Sequence, residues 1–183
     1  MVEIHDPGGK VRLKLDADIV SAAAFSECRR WRWWLERRWD GRPLATPGFG
    51  VVIGMNPSTA DLQVDDPTVA GCVWRARYRW GLPALVMLNA FTYRATDKKR
   101  LLEVDDPVGA ENDAMIAHYA ASAAAVVVAW GQPPKPLAGR GAAVAALLRG
   151  MGVQPLCFGV NGDGSPKHPL YQRRDAPLLP YPG

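Results

Sequence analysis

The sequence has few cysteines, only three histidines and no long apolar run. Its cysteines, Cys28, Cys72 and Cys157, are far apart in a chain of 183 residues. An odd number of widely spaced cysteines supports neither a disulfide framework nor a four-thiolate metal site. No apolar run approaches the ~20 residues that a membrane-spanning helix needs, and the acidic, turn-rich residues 1–9 do not resemble a signal peptide. We expect a cytoplasmic protein without a metal, a cofactor or a membrane contact.

The composition predicts one compact domain. Hydrophobic residues make up 48% of the chain and charged residues 22%, which suffices for a full core. We expect an α/β domain over residues 1–183, with antiparallel edge strands and a linker in 1–48 and the core in 49–183. The net charge of +4 and the pI near 9.1 permit a polyanionic partner but do not require one.

Alternating patterns near the start predict two strands. Val11, Leu13 and Leu15 alternate with charged residues, as in a half-buried edge strand. Residues 30–35 also alternate, and the Asp40-Gly41 pair that follows is a turn signal. We therefore expect an antiparallel strand in this segment.

Apolar segments and helix-start signals then follow one another through the core. Strands are predicted at 49–53, 85–88, 123–129 and 154–158, and helices at 67–81, 107–121 and 140–149. Asp66-Pro67 and Asp106-Pro107 have the form of helix starts, with an aspartate cap before a proline. Arg75 is expected on a different face of its helix from the apolar residues. Alternating strands and helices predict a mostly parallel sheet with helices on both faces.

Polar residues follow three of these apolar strands. Asn56 comes after strand 49–53, Asn89 follows strand 85–88, and His168 follows the last apolar stretch. The carboxyl edge of an open α/β sheet is the usual place for a site, so we expect the three side chains to share one cavity. Purely structural roles for these residues stay open: Asn56 could form a turn, Asn89 could bond to the backbone, and His168 could lie exposed in a loop. Asp61 and its neighbours 65 and 66 offer candidate general bases.

Tryptophans and arginines alternate in two segments. Arginine can hold phosphates while aromatic faces stack on bases, but core packing explains the same pattern. The residues concerned are Arg29, Arg30, Trp31, Arg32, Trp33, Trp34, Arg37, Arg38, Trp39, Trp74, Arg75, Arg79 and Trp80.

Several motifs resemble those of the bacterial domain of unknown function 1643 family. The motifs are Ser26-Glu-Cys28, Asn56-Pro-Ser-Thr-Ala-Asp61, Asp66-Pro-Thr68, residues 89–97, residues 106–113, Ala129-Trp-Gly131 and Lys167-His-Pro-Leu-Tyr171. A more distant likeness is to the uracil-DNA glycosylase superfamily. It rests on Gly54-Met-Asn-Pro57, Asn89 with Tyr93-Arg94, the 126–131 strand and His168-Pro169.

The distant likeness implies a mostly parallel sheet between helices and a role for each matching residue. Asn56 would position or activate water, with Asp61 as a further catalytic candidate, while Asn89 would read the base edge and His168 would stabilise the departing base. Leu170 or Tyr171 would wedge into the base stack. Substrate contacts would come from Met55, Pro57, Ser58, Thr59, Tyr93, Arg94 and Lys167, with Arg75, Arg94 and Lys167 as a basic rim for phosphates.

The implied function is hydrolysis of an N-glycosidic bond in nucleic acid, DNA rather than RNA. Leu170 replaces the serine that usually follows His-Pro in those enzymes, and no aromatic residue is assigned to stack on the base. Two alternatives remain: an enzyme of free nucleotides or nucleosides, and a non-catalytic protein that binds nucleic acid or a partner. The oligomeric state is left open.

Overall fold

The computed structural model describes residues 5–9 and 11–183, so residues 1–4 of the acidic start lie outside it. Its main feature is a seven-stranded sheet in the order β2-β3-β6-β4-β7-β8-β9, while β1 and β5 pair separately. The strands are β1 (Leu13–Lys14), β2 (Val20–Phe25), β3 (Arg32–Arg38), β4 (Gly50–Gly54), β5 (Val64–Asp65), β6 (Ala84–Asn89), β7 (Ala125–Val128), β8 (Leu156–Cys157) and β9 (Leu179–Pro180). The helices are α1 (Pro67–Tyr78), α2 (Asn112–Ala120) and α3 (Gly139–Gly150).

The sheet is mixed. Its four central strands, β6, β4, β7 and β8, are parallel, whereas β2, β3 and β9 pair in antiparallel fashion at the two sides. The prediction of a mostly parallel sheet therefore holds only for the centre. The reason lies in the connections: helices link the parallel strands, and a short turn joins β2 to β3, which only an antiparallel pair permits.

Helices cover both faces of this sheet. The apolar side of α1 packs on one face, against residues of β3, β4, β6 and β7. On the other face, α2 and α3 pack against the opposite residues of β4, β6 and β7. Because both faces are covered, β4 and β6 are buried along their whole length, as their continuous apolar sequences predict.

The two predicted helix starts had different outcomes. Asp66 caps α1, since its Oδ1 accepts a hydrogen bond from the Val69 amide at 2.9 Å, and Pro67 opens the helix. The start predicted at Asp106-Pro107 is wrong, because α2 begins only at Asn112. Asp106 Oδ1 instead accepts the amides of Val108 and Gly109, and this closes a turn before the helix.

In the first part of the chain, one predicted strand was wrong, one strand was missed and one was confirmed. The alternating segment around β1 is not half-buried: Leu13 and Lys14 are both exposed, and β1 pairs with β5 rather than with the main sheet. The alanine-rich strand β2 was missed, because small residues carry little strand propensity. The strand predicted at 30–35 is confirmed as β3, displaced towards its carboxyl end.

Arg75 was also predicted wrongly. It is buried within α1, where its Nη2 donates to the carbonyls of Pro169, Gln172 and Arg173 at 3.2, 2.7 and 3.2 Å. Its guanidinium lies 5.2 Å from the ring centre of Phe158. Arg75 thus holds the segment after His168 onto α1 and is not part of a phosphate-binding rim.

Candidate functional site

A cavity of about 460 Å³ opens at the carboxyl edge of the central strands. We call it the strand-end cavity. Its walls come from the residues that follow β4, β6 and β7, from the first turn of α1, and from the segment around His168. Strand ends supply the polar side chains and the first turn of α1 supplies Asp66, which is the arrangement expected for a site in an open α/β sheet.

Eight of the residues to which the likeness to glycosylases gave a role line this cavity, and their chemical roles remain predictions. Asn56, Asn89 and His168 are all among them, so the fold brings together residues that are far apart in the chain. The eight are Met55, Asn56, Pro57, Ser58, Asn89, His168, Leu170 and Tyr171.

Asn89 is buried at the end of β6 with an unsatisfied amide. The residue is 3% exposed, and its side-chain Nδ2 has no hydrogen-bond partner. Its neighbour across the sheet is Gly54, where an added Cβ would lie 3.0 Å from Asn89 Oδ1. A larger residue at 54 would therefore crowd the Asn89 side chain. A buried donor without a partner costs about 1–3 kcal/mol, which a ligand acceptor would offset.

Asn56 is held by its own turn and the neighbouring strand end. Its Nδ2 donates to the carbonyl of Pro57 at 3.1 Å and to that of Ala95 at 2.7 Å. Both amide hydrogens are thus committed to backbone. The carboxamide oxygen is the group that Asn56 can offer to a water or a ligand in the cavity.

His168 is oriented by the backbone that follows it. Its Nδ1 accepts a hydrogen bond from the Leu170 amide at 3.3 Å, so the proton of the neutral ring lies on Nε2. Burial lowers the pKa of His168, Lys98 lowers it further and Asp66 opposes them, which favours the neutral ring at pH 7. Gly131 packs against His168 and has a left-handed φ of 68°. A Cβ added at Gly131 would lie 3.3 Å from the His168 Cβ, which is a tight contact. In its neutral form, the His168 ring therefore offers Nε2–H as a donor.

Arg32 also lines the cavity, and sequence reasoning missed it as a site residue. It lies on β3, is 1% exposed, and uses Nη1 to donate to the carbonyl of Ala60 at 3.1 Å. Its Nε has no partner, and burial lowers its pKa to about 10. The alternating pattern of its segment placed Arg32 among surface arginines, so nothing in the sequence marked it as buried.

Asp66 combines its capping role with a place in the cavity wall. A carboxylate can accept about four hydrogen bonds, and the Val69 amide uses one of these positions. Among the described lining residues, the cations Arg32 and Lys98 are matched by the carboxylates Asp66 and Asp97. The cavity thus offers donors and acceptors without a net charge, which suits a neutral polar ligand.

The other predicted site residues lie elsewhere. Asp61 faces a second cavity, and its Oδ1 accepts the amides of Gln63 and Val64. Thr59 is buried and bonds the carbonyl of Val11. Tyr93, Arg94 and Lys167 do not line the strand-end cavity either: Tyr93 is a core residue, Arg94 borders the second cavity, and Lys167 packs along Gly159.

The tryptophan- and arginine-rich segment is largely structural. Arg37 and Arg38 are fully buried on β3, and the indoles of Trp31 and Trp39 donate to the carbonyls of Asp106 and Leu82. Arg37 and Arg38 are therefore not available on the surface to contact the phosphates of a nucleic acid. In residues 5–9 and 11–183, no group of three or more His, Cys, Asp and Glu side chains is placed to hold a metal ion, and no helix there is long and apolar enough to cross a membrane.

Comparison with known proteins identified a family that this chain matches. Residues 32–170 match the model of a family described as protein of unknown function DUF1643. No curated protein and no solved structure matches the chain. The matched segment begins at Arg32 and ends at Leu170, and both of these residues line the strand-end cavity. The chain belongs to the DUF1643 family.

Proposed function

We propose that the strand-end cavity binds a nucleobase and that the protein hydrolyses the N-glycosidic bond of that base in nucleic acid. The observation that carries this proposal is the buried, unpartnered amide of Asn89 in a cavity that His168 also lines. An amide that is costly to leave unpaired becomes a base reader once a base occupies the cavity.

Base binding accounts for the polar groups of the cavity. A carbonyl of the base accepts hydrogen bonds from Asn89 Nδ2 and from the guanidinium of Arg32. The carboxamide oxygen of Asn89 accepts a ring or exocyclic N–H of the base, which leaves the Asp66 carboxylate free for the water. The absence of net charge among the lining residues agrees with a neutral heterocycle.

The same groups supply the chemistry. Water adds to the anomeric carbon of the sugar and loses a proton to Asp66, while the carbonyl oxygen of Asn56 orients it. The bond to the base breaks, and the base leaves with the electron pair. Donors aimed at the base, His168 Nε2–H and Asn89 Nδ2–H, stabilise its developing negative charge. Asp66 replaces Asp61 in this role because Asp61 lies outside the cavity.

Access to a base in nucleic acid requires that the base leave its stack. Leu170 and Tyr171 lie at the cavity, 49% and 80% exposed, and the Tyr171 ring centre is 5.6 Å from that of His168. An exposed apolar or aromatic side chain at this position suits a wedge that fills the space of the extruded base. The likeness to uracil-DNA glycosylases agrees with this arrangement.

The test is base release from labelled single- and double-stranded oligonucleotides that carry uracil, hypoxanthine, or oxidised or methylated bases. We expect His168→Ala and Asp66→Asn to lower the rate about 10²- to 10⁴-fold. Asn retains the helix cap, so Asp66→Asn isolates the carboxylate. The matched control is Asp106→Asn, which keeps a capping residue in a turn away from the cavity. Release that is absent in all proteins, with oligonucleotide binding intact, would identify a binding protein instead.

A second candidate is hydrolysis of free nucleosides. It is favoured by the burial of Arg75, which removes one cation from the predicted phosphate rim. The same assay with free nucleosides separates the two: turnover of nucleosides but not of oligonucleotides selects this candidate.

A further inference from the structure

A second cavity of about 450 Å³ lies beside the turn that contains Asp61. We call it the arginine cavity, because Arg12, Arg29 and Arg94 all line it. The three come from separate segments: one precedes β1, one lies in the turn between β2 and β3, and one follows β6. The fold therefore brings three cations together from distant positions in the chain.

Arg94 is the buried member of this group. It is 4% exposed, and its Nη1 and Nη2 donate to the carbonyls of Arg29 at 3.0 Å and Ser58 at 3.3 Å. Its Nε has no partner. The guanidiniums of Arg94 and Arg29 lie 5.1 and 4.1 Å from the ring centre of Phe25, so both make cation–π contacts with the same ring.

The charges of the three arginines are not neutralised at close range. In the described part of the chain, none of them forms a salt bridge. Asp6 and Asp61 line the same cavity and raise the pKa of Arg94, but two carboxylates there face three guanidiniums. Burial, followed by repulsion from Arg29, lowers the pKa of Arg94 to about 10. An anion in the cavity would relieve this repulsion.

We propose that the arginine cavity is a phosphate-binding site. Three guanidiniums from three segments suit a tetrahedral oxyanion, which presents oxygens in several directions, better than a planar carboxylate. The charge of a phosphate also matches a cavity whose three arginines exceed its two aspartates. This site stands on its own residues and does not depend on base hydrolysis.

The site adjoins the strand-end cavity. Arg94 Nη2 bonds the carbonyl of Ser58, and Ser58 lines the strand-end cavity and contacts Thr96 at 2.9 Å between their hydroxyl oxygens. One turn of chain thus separates the two cavities. A phosphate in the arginine cavity belongs either to the backbone of a nucleic acid or to a free nucleotide.

Inorganic phosphate is the first probe. We measure its effect on the melting temperature and by titration calorimetry, with chloride at equal ionic strength as the reference. The wild type should show saturable stabilisation by phosphate beyond that by chloride. Arg12→Ala and Arg29→Asn should each weaken phosphate binding at least tenfold. Arg12 is exposed, and Asn tolerates the left-handed φ of 57° at position 29, so both variants should fold.

The matched control is Arg30→Ala, which removes an equal charge from an exposed arginine in the same turn but outside the cavity. Its phosphate affinity should stay within twofold of the wild type. Equal stabilisation by phosphate and chloride, or equal affinity in Arg12→Ala, Arg29→Asn and the wild type, would overturn the proposal. A nucleoside 5′-monophosphate and a short oligonucleotide are then compared: whichever loses more affinity in Arg29→Asn identifies the source of the phosphate.

Discussion

Arg32 and Arg37, near opposite ends of β3, are both buried but differ in their surroundings. Arg37 donates through Nε and Nη2 to Asp65 Oδ1 at 3.0 and 2.7 Å, and through Nη1 to the Ser21 hydroxyl at 2.5 Å. Every nitrogen of its guanidinium has a partner. The guanidinium of Arg32, at the other end of the same strand, makes one hydrogen bond within the described residues and has an unpartnered Nε beside a cavity.

This difference in hydrogen bonding distinguishes buried polar residues that serve the fold from those available to bind a ligand. A buried charge with a complete set of partners is explained by the fold alone. Arg32 and Asn89 leave polar hydrogens unsatisfied where space for a ligand exists. Unpartnered buried donors beside a cavity are therefore the observation that points to binding, more than the presence of arginine itself.

The largest expected effect concerns the paired arginine. Asp65→Ala removes the carboxylate and leaves the Arg37 charge buried without compensation. We expect the free energy of unfolding to fall by about 3–5 kcal/mol, measured by urea denaturation. The exposed Arg173–Asp175 pair provides the control. Asp175→Ala should change stability by less than about 1 kcal/mol, and an equal loss in both variants would contradict a structural role for the Arg37–Asp65 pair.

Asp66 has a structural role and a proposed functional one, since it caps α1 and lines the strand-end cavity. Asp66→Ala should lower the free energy of unfolding by about 1 kcal/mol, because the Val69 amide loses its partner. Asp66→Asn should leave stability nearly unchanged, since asparagine caps equally well. Both variants should lose base release. A stable Asp66→Asn variant with full activity would remove Asp66 from the chemistry and leave only its cap.

Arg32 should behave unlike Arg37 when its charge is removed. Arg32→Met fills a similar volume with an apolar side chain, and the charge it removes has no salt-bridge partner in the described residues. We expect the free energy of unfolding to change by no more than about 1 kcal/mol, while nucleoside or oligonucleotide affinity falls. Denaturation and binding are measured on the same preparation. A loss of several kcal/mol would make Arg32 a structural residue like Arg37.

The sequence predicted the centre of the fold better than its sides. Continuous apolar runs identified β4, β6 and β7, and the Asp66-Pro67 signal located α1, because these patterns reflect burial and capping directly. The Asp106-Pro107 signal failed because an aspartate that accepts nearby amides closes a turn as readily as it starts a helix. The local sequence does not distinguish the two.

The candidate site was predictable only in part. Asn89 and His168 follow apolar strands, so strand ends were a sufficient guide to them. The burial of Arg32 and Arg75 was not predictable. Local alternation and helical spacing do not reveal that backbone carbonyls distant in the sequence accept hydrogen bonds from their guanidiniums. Where an arginine finds its partners depends on tertiary packing, and one sequence carries no direct signal of that.

The smallest expected effect is the pH dependence that His168 contributes. Its pKa is lowered in the folded protein, and the unfolded chain titrates near 6.5, so the unfolded state binds the proton more readily at mildly acidic pH. Stability from the neutral ring is therefore complete above about pH 6.5 and falls as the pH drops towards the folded pKa.

His168→Asn keeps an acceptor for the Leu170 amide and removes this titration. Between pH 7.5 and 5.5 we expect the wild type to lose more stability than the variant, measured by denaturation at each pH. His118→Asn, at an exposed position of α2, should follow the wild type. Parallel profiles for wild type and His168→Asn would mean that the ring is not held neutral by burial, and His168 would then no longer contrast with the fully paired side chains of β3.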